Sequence, residues 1–326
     1  MTVRVSVVIA TYNRARLLEG ALEALASQVV PEALEWEIVV VDNNSSDATA
    51  RVITAFASKT TTPVRHAFEP RQGLANARNR GIREARGAIV AFTDDDVLPA
   101  PDWVAQMAAS FERWSADGVG GRILPRWEAA PPRWLSGNRG LLDRLAIMDY
   151  EGSGLLALPL GPQPQVWGAN MAFRRELFDR VGDFDTRLGI VGTKLFRDEE
   201  TDLINRALRL GLKIAYDSTI TVFHRIGTDR MQKAYFRKLM FDAGQGRARA
   251  TPVDGRLSFL GAPLALYRFP LSVLKWAALR VLRRPEAFDQ ELGCFSLAGQ
   301  LSGYWESGSR TAGRTRTAVG KIESSR

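Results

Sequence analysis

Short apolar runs alternate with amphipathic stretches along the N-terminal half of the chain. Val3 to Thr11 reads as a strand, after which Leu17, Leu18, Ala21, Leu22 and Leu25 recur at the spacing of one helix face. A second run, Ile38-Val-Val-Val41, ends in Asp42-Asn-Asn-Ser-Ser-Asp47, where Ser45, Ser46 or Asp47 would cap the next helix. A weaker strand is expected near Val64 to Phe68 and a helix at Leu74 to Ala85. Then Gly87-Ala-Ile-Val-Ala-Phe-Thr-Asp-Asp-Asp96 reads as a buried strand running into three adjacent carboxylates. Strands with helices between them predict an α/β fold on a mostly parallel, doubly wound sheet. Such sheets bind ligands outside the carboxyl ends of their strands. Thr11, Asn13, Arg14, Asp42, Asp94, Asp95 and Asp96 are therefore expected around one crevice.

Farther on, the pattern predicts a helix from Pro101 to Ala116 and a fifth strand from Gly118 to Leu124. Residues 125–165, rich in Pro, Gly and Trp, read as a loop over the crevice, followed by a strand from Val166 to Phe173. The stretch from Gly152 to Phe173 carries no charge, but its prolines and glycines break any membrane-spanning helix. Trp134 and Trp167 are candidates for stacking on a ring. Asp198, Glu199 and Glu200 stand at or just before the start of a helix whose apolar face is Leu203, Ala207, Leu208 and Leu210. A helix dipole stabilises anions there, and a carboxylate facing the crevice can accept a proton. Lys213 to Tyr216 and Thr219 to His224 read as strand, with His224 at its end as a candidate metal ligand beside the aspartates.

Composition changes this picture in three places. The single cysteine, Cys294, allows no intramolecular disulfide and no cysteine metal cluster, which suits a reducing compartment. The chain enters its first strand without the basic flank and apolar segment of a signal peptide, so a cytoplasmic protein is expected. The net charge of +8 is uneven: residues 225–326 carry 18 Lys and Arg against 8 Asp and Glu, and the first 224 positions are close to neutral. Such a block suits an anionic partner such as phospholipid or a phosphorylated acceptor. Nucleic acid is not expected, because no recognition module accompanies the charge. Within the block, Leu271, Leu274, Ala278, Val281 and Leu282 share one side of a predicted helix over 270–284. Arg280, Arg283 and Arg284 lie on another, and Lys275 interrupts the pattern. That stripe predicts either an interfacial helix lying on anionic membrane or a helix packed on the catalytic domain. The expected organisation is a catalytic domain over 1–226, a basic helical extension over 227–306 and a disordered basic tail over 307–326.

Three neighbouring carboxylates repel one another unless a cation or hydrogen-bond donors neutralise them, which makes a divalent metal the natural missing component. Neither a G-x-G-x-x-G fingerprint nor a G-x-x-x-x-G-K-[ST] loop follows the first strand, so ordinary dinucleotide or ATP binding is not expected.

Taken in order, Val7-Val-Ile-Ala-Thr-Tyr-Asn-Arg14, Val40-Val-Asp-Asn-Asn-Ser-Ser-Asp47, Gly73-Leu-Ala-Asn-Ala-Arg-Asn-Arg-Gly81 and Phe92-Thr-Asp-Asp-Asp96 form one motif set. It continues through Gly168-Ala-Asn-Met-Ala-Phe-Arg-Arg175, Gly182-Asp-Phe-Asp185, Glu199-Glu-Thr-Asp-Leu203 and His224. The set resembles the family-2 inverting glycosyltransferases, whose catalytic domain has the A-type nucleotide-diphospho-sugar transferase fold. The resemblance implies a nucleoside pocket of Thr11, Asn13, Arg14 and Asp42, with Arg78 and Asn79 nearby and Asp95 beside them. It implies a D-x-D pair in which Asp94 leans toward the ribose and the metal and Asp96 ligates the metal, with His224 as a further ligand. Glu200 falls where the family places its base. The family often has a Glu-Asp pair there, so Glu199 or Asp198 stays open as the base. Trp167 and Asn170 would lie on the acceptor side. The implied reaction is metal-dependent inverting transfer of a sugar from a nucleotide-diphosphate donor to a glycan or lipid-linked acceptor, in cell-surface glycan or glycolipid assembly. The protein would then be peripheral on the inner face of the membrane. Mn2+ or Mg2+ is the implied cofactor, oxygen ligands plus one imidazole suiting Mn2+ better. Two alternatives remain: a sugar-phosphate nucleotidyltransferase, which would want a glycine-rich loop after the first strand, and a catalytically inactive carbohydrate-binding relative.

Overall fold

The alternation of apolar runs and amphipathic stretches becomes four parallel strands, β1 (Val5–Thr11), β2 (Trp36–Asp42), β3 (Val64–Phe68) and β4 (Ile89–Asp94). Between them run α1 (Ala15–Ala26), α2 (Thr49–Ala57) and α3 (Leu74–Glu84). The computed structural model describes residues 3–160, 165–188, 199–250, 258–259 and 262–323. The strands lie in the order β3-β2-β1-β4. Both faces of β1 and β2 are covered, which is why their sequences are continuous apolar runs. Leu18, Leu22 and Leu25 of α1 pack with Val5, Val7 and Ile9 on one face, and Ala75, Ala77 and Ile82 of α3 pack with Val8, Val39 and Val41 on the other. Register sets Thr11 beside Asp42 and Ala10 beside Asp94, so the polar strand ends share one edge.

The chain continues through β5 (Val97–Pro99), α4 (Trp103–Trp114), β6 (Gly118–Trp127), the short α5 (Arg133–Ser136) and α6 (Arg139–Arg144), and β7 (Gly154–Leu155). Next come β8 (Met171–Arg174), α7 (Arg175–Val181), α8 (Glu199–Arg209) and β9 (Ile214–Ile226). The sheet extends from β4 in the order β8-β6-β9-β5, with β7 on β9. Of these, β8 runs antiparallel to both β4 and β6, while β6 and β9 are parallel. The result is a mixed sheet in which most strands point the same way.

Three local expectations are corrected. The strand expected over Val166 to Phe173 is only Met171–Arg174; residues 168–170 turn instead, because their side chains and backbone serve other partners. The two strands expected at 213–216 and 219–224 are one strand, β9, whose pairing with β6 jumps from Gly121↔Asp217 to Arg122↔Thr221. Asp217 holds that bulge: it accepts Thr219 N at 3.0 Å and Thr219 Oγ1 at 2.8 Å, and also Ser110 Oγ and Trp114 Nε1 from α4, both at 2.9 Å. Burial would raise this carboxyl, but those donors hold it below the usual carboxylate range. The start of α2 lies at Thr49 rather than directly after Ser45 or Ser46. Asp47 accepts Thr49 N at 3.0 Å and, through its other oxygen, Ala15 N at 3.0 Å, so one carboxylate ties the starts of α2 and α1 together.

The chain divides into two compact units between Met231 and Gln232, five residues beyond the expected boundary. The extra residues stay with the sheet because the turn after β9 returns Arg230 to Asp96. The second unit contains α9 (Lys233–Ala250), β10 (Ser258–Phe259), β11 (Ala262–Pro263), α10 (Leu264–Val281) and α11 (Ala287–Glu323). Phe236 and Leu239 of α9 and Leu292 and Cys294 of α11 are buried there. Helix α11 overruns the segment expected as a disordered tail: once its packed first half nucleates the helix, no proline interrupts its extension to Glu323. Positions 324–326 lie outside the described residues. No helix among the described residues is long and apolar enough to cross a membrane.

Candidate active site

The crevice rim begins in the turn after β1. Asn13 has φ of +52°, in the left-handed region that asparagine tolerates better than most residues, and its Oδ1 accepts Ser46 N at 2.7 Å. Asn13 N in turn donates to Ser45 Oγ at 3.0 Å, and Ser45 N donates to Asp42 Oδ1 at 2.8 Å. The strand ends of β1 and β2 are thereby laced into one surface. His66 from β3 brings Nε2 to 3.8 Å from Asp42 Oδ2, an approach sequence reasoning missed.

The three aspartates do not share one environment. β4 ends at Asp94, and the chain turns through Asp95 and Asp96 before β5, which sets Asp95 against Thr11 of β1 and Asp96 against His224 of β9. Asp95 accepts Thr11 Oγ1 at 2.8 Å and Arg14 Nη1 at 3.0 Å. Asp96 accepts the same Arg14 Nη1 at 3.1 Å and Arg230 Nη2 at 2.9 Å, and its Oδ1 lies 3.5 Å from His224 Nε2. Burial pushes the Asp95 carboxyl up, and the charge on Asp96 pushes it farther, against Arg14 and Thr11. Burial acts on Asp96 in the same direction, but His224, Arg230 and Arg14 overcome it and hold Asp96 well below the usual range. Arg230 was not among the expected site residues. It also meets His224 Nε2 through Nη1 at 2.9 Å.

The second carboxylate group reaches the same edge through Arg78 of α3. Its guanidinium is buried, with Nη1 donating to Glu199 Oε1 at 2.7 Å and Nη2 standing 3.5 Å from Asp94 Oδ1. Burial would lower the Arg78 pKa, but Glu199, Asp94 and Glu200 raise it, so Glu200 also lies within this guanidinium's field. Glu199 is the first residue of α8 and fully enclosed, whereas Glu200 is half-buried. Asp198 lies outside the described residues. Gly168 gives Arg78 its room: a Cβ there would stand 2.2 Å from Nη2 and 2.8 Å from Cζ. Gly168→Ala is therefore expected to displace a guanidinium that two carboxylates hold, destabilising the fold by about 1–3 kcal/mol, to be measured by urea unfolding.

Two expected site residues, Asn79 and Asn170, serve other ends. The Asn79 side chain donates to Phe184 O at 2.9 Å and accepts Phe184 N at 3.0 Å, so it pins the chain after α7 and is not offered to a nucleotide. Asn170 is fully buried; its Oδ1 accepts Trp103 Nε1 at 2.8 Å and its Nδ2 donates to Arg122 O at 2.8 Å and Ile220 O at 3.0 Å. With every polar atom occupied, it brackets β6, β9 and α4 and cannot face an acceptor. Trp167 is partly buried against the sheet core and donates its Nε1 to Gln165 Oε1 at 3.0 Å.

The donor set can be tested against a divalent ion. Two ligands each about 2.1 Å from one ion stand about 3–3.5 Å apart, which matches the Asp96–His224 separation of 3.5 Å. His224 Nδ1 is buried without a partner among the described residues, so only the Nε2 side fixes the ring. Asp94 does not join them, being turned to Arg78, and no group of three or more His, Cys, Asp or Glu able to hold a metal is assembled among the described residues. Of the expected trio Asp94, Asp96 and His224, the structure brings Asp96 and His224 together, while Asp94 stands at Arg78. The Asp96–His224 pair offers one oxygen and one nitrogen to a divalent ion, which would have to displace Arg230 from both.

A mixed sheet carrying a D-x-D turn, a histidine strand end and a helix-borne acid at one edge defines the A-type nucleotide-sugar transferase architecture. The model for glycosyl transferase family 2 matches residues 6–182, more than half of the chain, and the protein belongs to that family. It is 27% identical over 232 residues to a glucosyl-dolichyl phosphate glucuronosyltransferase of Haloferax volcanii, covering 68% of this chain and 69% of that one. It is 40% identical over 108 residues to a validoxylamine A glucosyltransferase of Streptomyces hygroscopicus, covering 32% of this chain and 25% of that one. In fold it is similar to the mannosyltransferase PcManGT of Pyrobaculum calidifontis in complex with GDP-Man and Mn2+, with a TM-score of 0.62 and 22% identity over 94% of this chain and 88% of that one. It is also similar to S. aureus TarS in complex with UDP-GlcNAc, with a TM-score of 0.53 and 18% identity over 74% of this chain and 66% of that one.

Proposed function

We propose that the protein transfers a sugar, with inversion at the anomeric carbon, from a nucleoside-diphosphate sugar to the hydroxyl of a lipid-linked or glycan acceptor. One observation carries this reading: Thr11, Arg14, Asp95, Asp96, Arg230 and His224 form a single bonded network at the strand ends, and Asp94, next in the chain to Asp95, is tied through Arg78 to Glu199 at the start of α8. The solved relatives hold GDP-Man with Mn2+ or UDP-GlcNAc, which supports a nucleoside-diphosphate sugar as donor. The Haloferax relative's name supports a lipid-linked acceptor.

In the proposed reaction the acceptor oxygen attacks the anomeric carbon from the face opposite the diphosphate. The bond from that carbon to the diphosphate oxygen breaks, and the hydroxyl proton passes to a carboxylate. We assign that carboxylate to Glu200, because Glu199 is enclosed and engaged by Arg78. Glu199 is then a positioning residue. In this reading Arg14 and Arg230, both paired with Asp96, would stabilise the charge that gathers on the leaving diphosphate. Asp96 and His224 would hold a divalent ion, Mn2+ by preference, that supplies Lewis-acid stabilisation to the leaving group. The nucleotidyltransferase alternative is disfavoured: the turn after β1 is Thr11-Tyr-Asn-Arg14, whose Arg14 is engaged by Asp95 and Asp96, and it is not a glycine-rich activating loop.

Thermal shift with Mn2+ and a panel of nucleoside-diphosphate sugars is expected to show stabilisation of about 2.7 kcal/mol at a hundredfold excess over Kd for the matching donor, lost on chelation. Release of nucleoside diphosphate and an inverted anomeric signal in the product would complete the test. Pyrophosphate release from a nucleoside triphosphate and a sugar phosphate would replace this reading with the nucleotidyltransferase one.

A further inference from the structure

Helix α10 has two faces that differ in what they touch. On one, Ala265 is buried and Ser272, Val273, Trp276 and Leu279 are half-buried. Ser272 Oγ lies 3.3 Å from Cys294 Sγ and 2.8 Å from Gln290 Nε2, both on α11, so this face seats the helix within its own unit. On the other, Tyr267, Leu271, Leu274, Ala278, Val281 and Leu282 fall within about 60° of one line at about 100° per residue. That stripe is open to solvent: Leu271 is 67% exposed, Leu274 68%, Val281 80% and Leu282 69%. Singly scattered exposed leucines are normal on soluble proteins, whereas large contiguous apolar patches are rare and mark interaction surfaces.

The charge on the helix limits what can cover the stripe. Helix α10 and the turn after it, from Leu264 to Arg284, hold five cations, Arg268, Lys275, Arg280, Arg283 and Arg284, and no carboxylate, the nearest being Glu286, which pairs with Arg284 at 3.5 Å. The unit beginning at Gln232 carries 16 Lys and Arg against 7 Asp and Glu. A second copy of the chain meeting this face across a two-fold axis would bring like charges together. A nucleic acid would answer the cations but leave the leucines in water. An anionic bilayer answers both at once, acyl chains taking the stripe and headgroups the flanking cations.

We propose that α10 is an interfacial anchor that lies in the surface of an anionic bilayer, its Leu271–Leu282 stripe facing the acyl chains. The anchor stands on α10 alone and goes beyond the reaction proposed for the other unit. It is expected to work without spanning, since no helix among the described residues meets the requirement for crossing a membrane.

The test is flotation of the full chain with phosphatidylcholine–phosphatidylglycerol vesicles and with pure phosphatidylcholine vesicles, at low and high salt. Wild-type protein is expected to float with the anionic vesicles at low salt, and to float less with neutral vesicles or at high salt. Leu274→Glu combined with Val281→Glu is expected to reduce flotation at least about tenfold. Both sites are exposed, so the variant should keep its melting curve and its release of nucleoside diphosphate in solution. Wild type left at the bottom of the gradient with anionic vesicles at low salt overturns the proposal, as does a variant that floats equally well. A dimer that the same substitutions dissolve, with no vesicle binding, would reassign the stripe to self-association. Since donor turnover is read without vesicles, failure of flotation leaves the transferase reading untouched.

Discussion

Glu200→Gln is expected to lower turnover by about two orders of magnitude or more while leaving donor affinity within about twofold of wild type. The amide keeps the size and shape of the side chain but cannot take a proton from the attacking hydroxyl. Glu200 stands in the first turn of α8, where the helix dipole favours the anionic form. The donor contacts are assigned to the ends of β1, β2 and β4, which the substitution does not touch, so the loss should fall on kcat with little change in donor Kd. Glu199→Gln should behave differently. It weakens the bond to Arg78 and should act on stability and acceptor KM along with kcat. Near-wild-type turnover for Glu200→Gln would assign the proton to another group and leave α8 as a structural support.

The parts of this site that could be read in advance are those where a local pattern ends in a chemical group. β1, β2 and β4 are apolar runs that stop at Thr11, Asp42 and Asp94, so both strand and rim residue are written in the same few positions. The family resemblance groups Asp94 with Asp96 as a D-x-D pair. The chain instead turns after Asp94, and Asp95 and Asp96 share Arg14 while Asp94 faces Arg78. Arg230 escaped for a different reason. Its partner Asp96 is 134 positions away, and in a sequence count it is one more cation in a basic C-terminal third. Asn79 and Asn170 sit in the motifs but serve the backbone at Phe184 and at Arg122 and Ile220, partners that no spacing rule could have named. The stripe on α10 was legible as a stripe. Its direction was not, because an apolar face at helical spacing looks the same whether it meets a core or a membrane.

Arg78→Met is expected to destabilise the protein by about 3–5 kcal/mol, because it leaves the Glu199 carboxylate enclosed without its partner. Methionine matches the length of the arginine stem, so packing against Phe184, whose ring centre lies 5.7 Å from the guanidinium carbon, should be largely kept. The lost term is then electrostatic. Replacing both members, Arg78→Met with Glu199→Leu, should recover most of the stability, since a buried ion pair contributes little net free energy over apolar groups of similar volume. Urea unfolding of the four members of this cycle would give a coupling energy of at least about 3 kcal/mol. Activity should not follow stability. The double variant folds without the link between α8 and β4 that Arg78 makes through Glu199 and Asp94, so Glu200 loses its fixed distance to the rim and kcat stays low. Arg78→Lys should also fail to restore kcat, because one ammonium cannot present two separate N–H groups to two carboxylates. If the single Arg78→Met variant cost less than about 1 kcal/mol, this ion pair would not be what brings the acids of α8 to the sheet. The placement of the base would then have to be sought in the apolar contacts of Leu203 and Ile204 with the core.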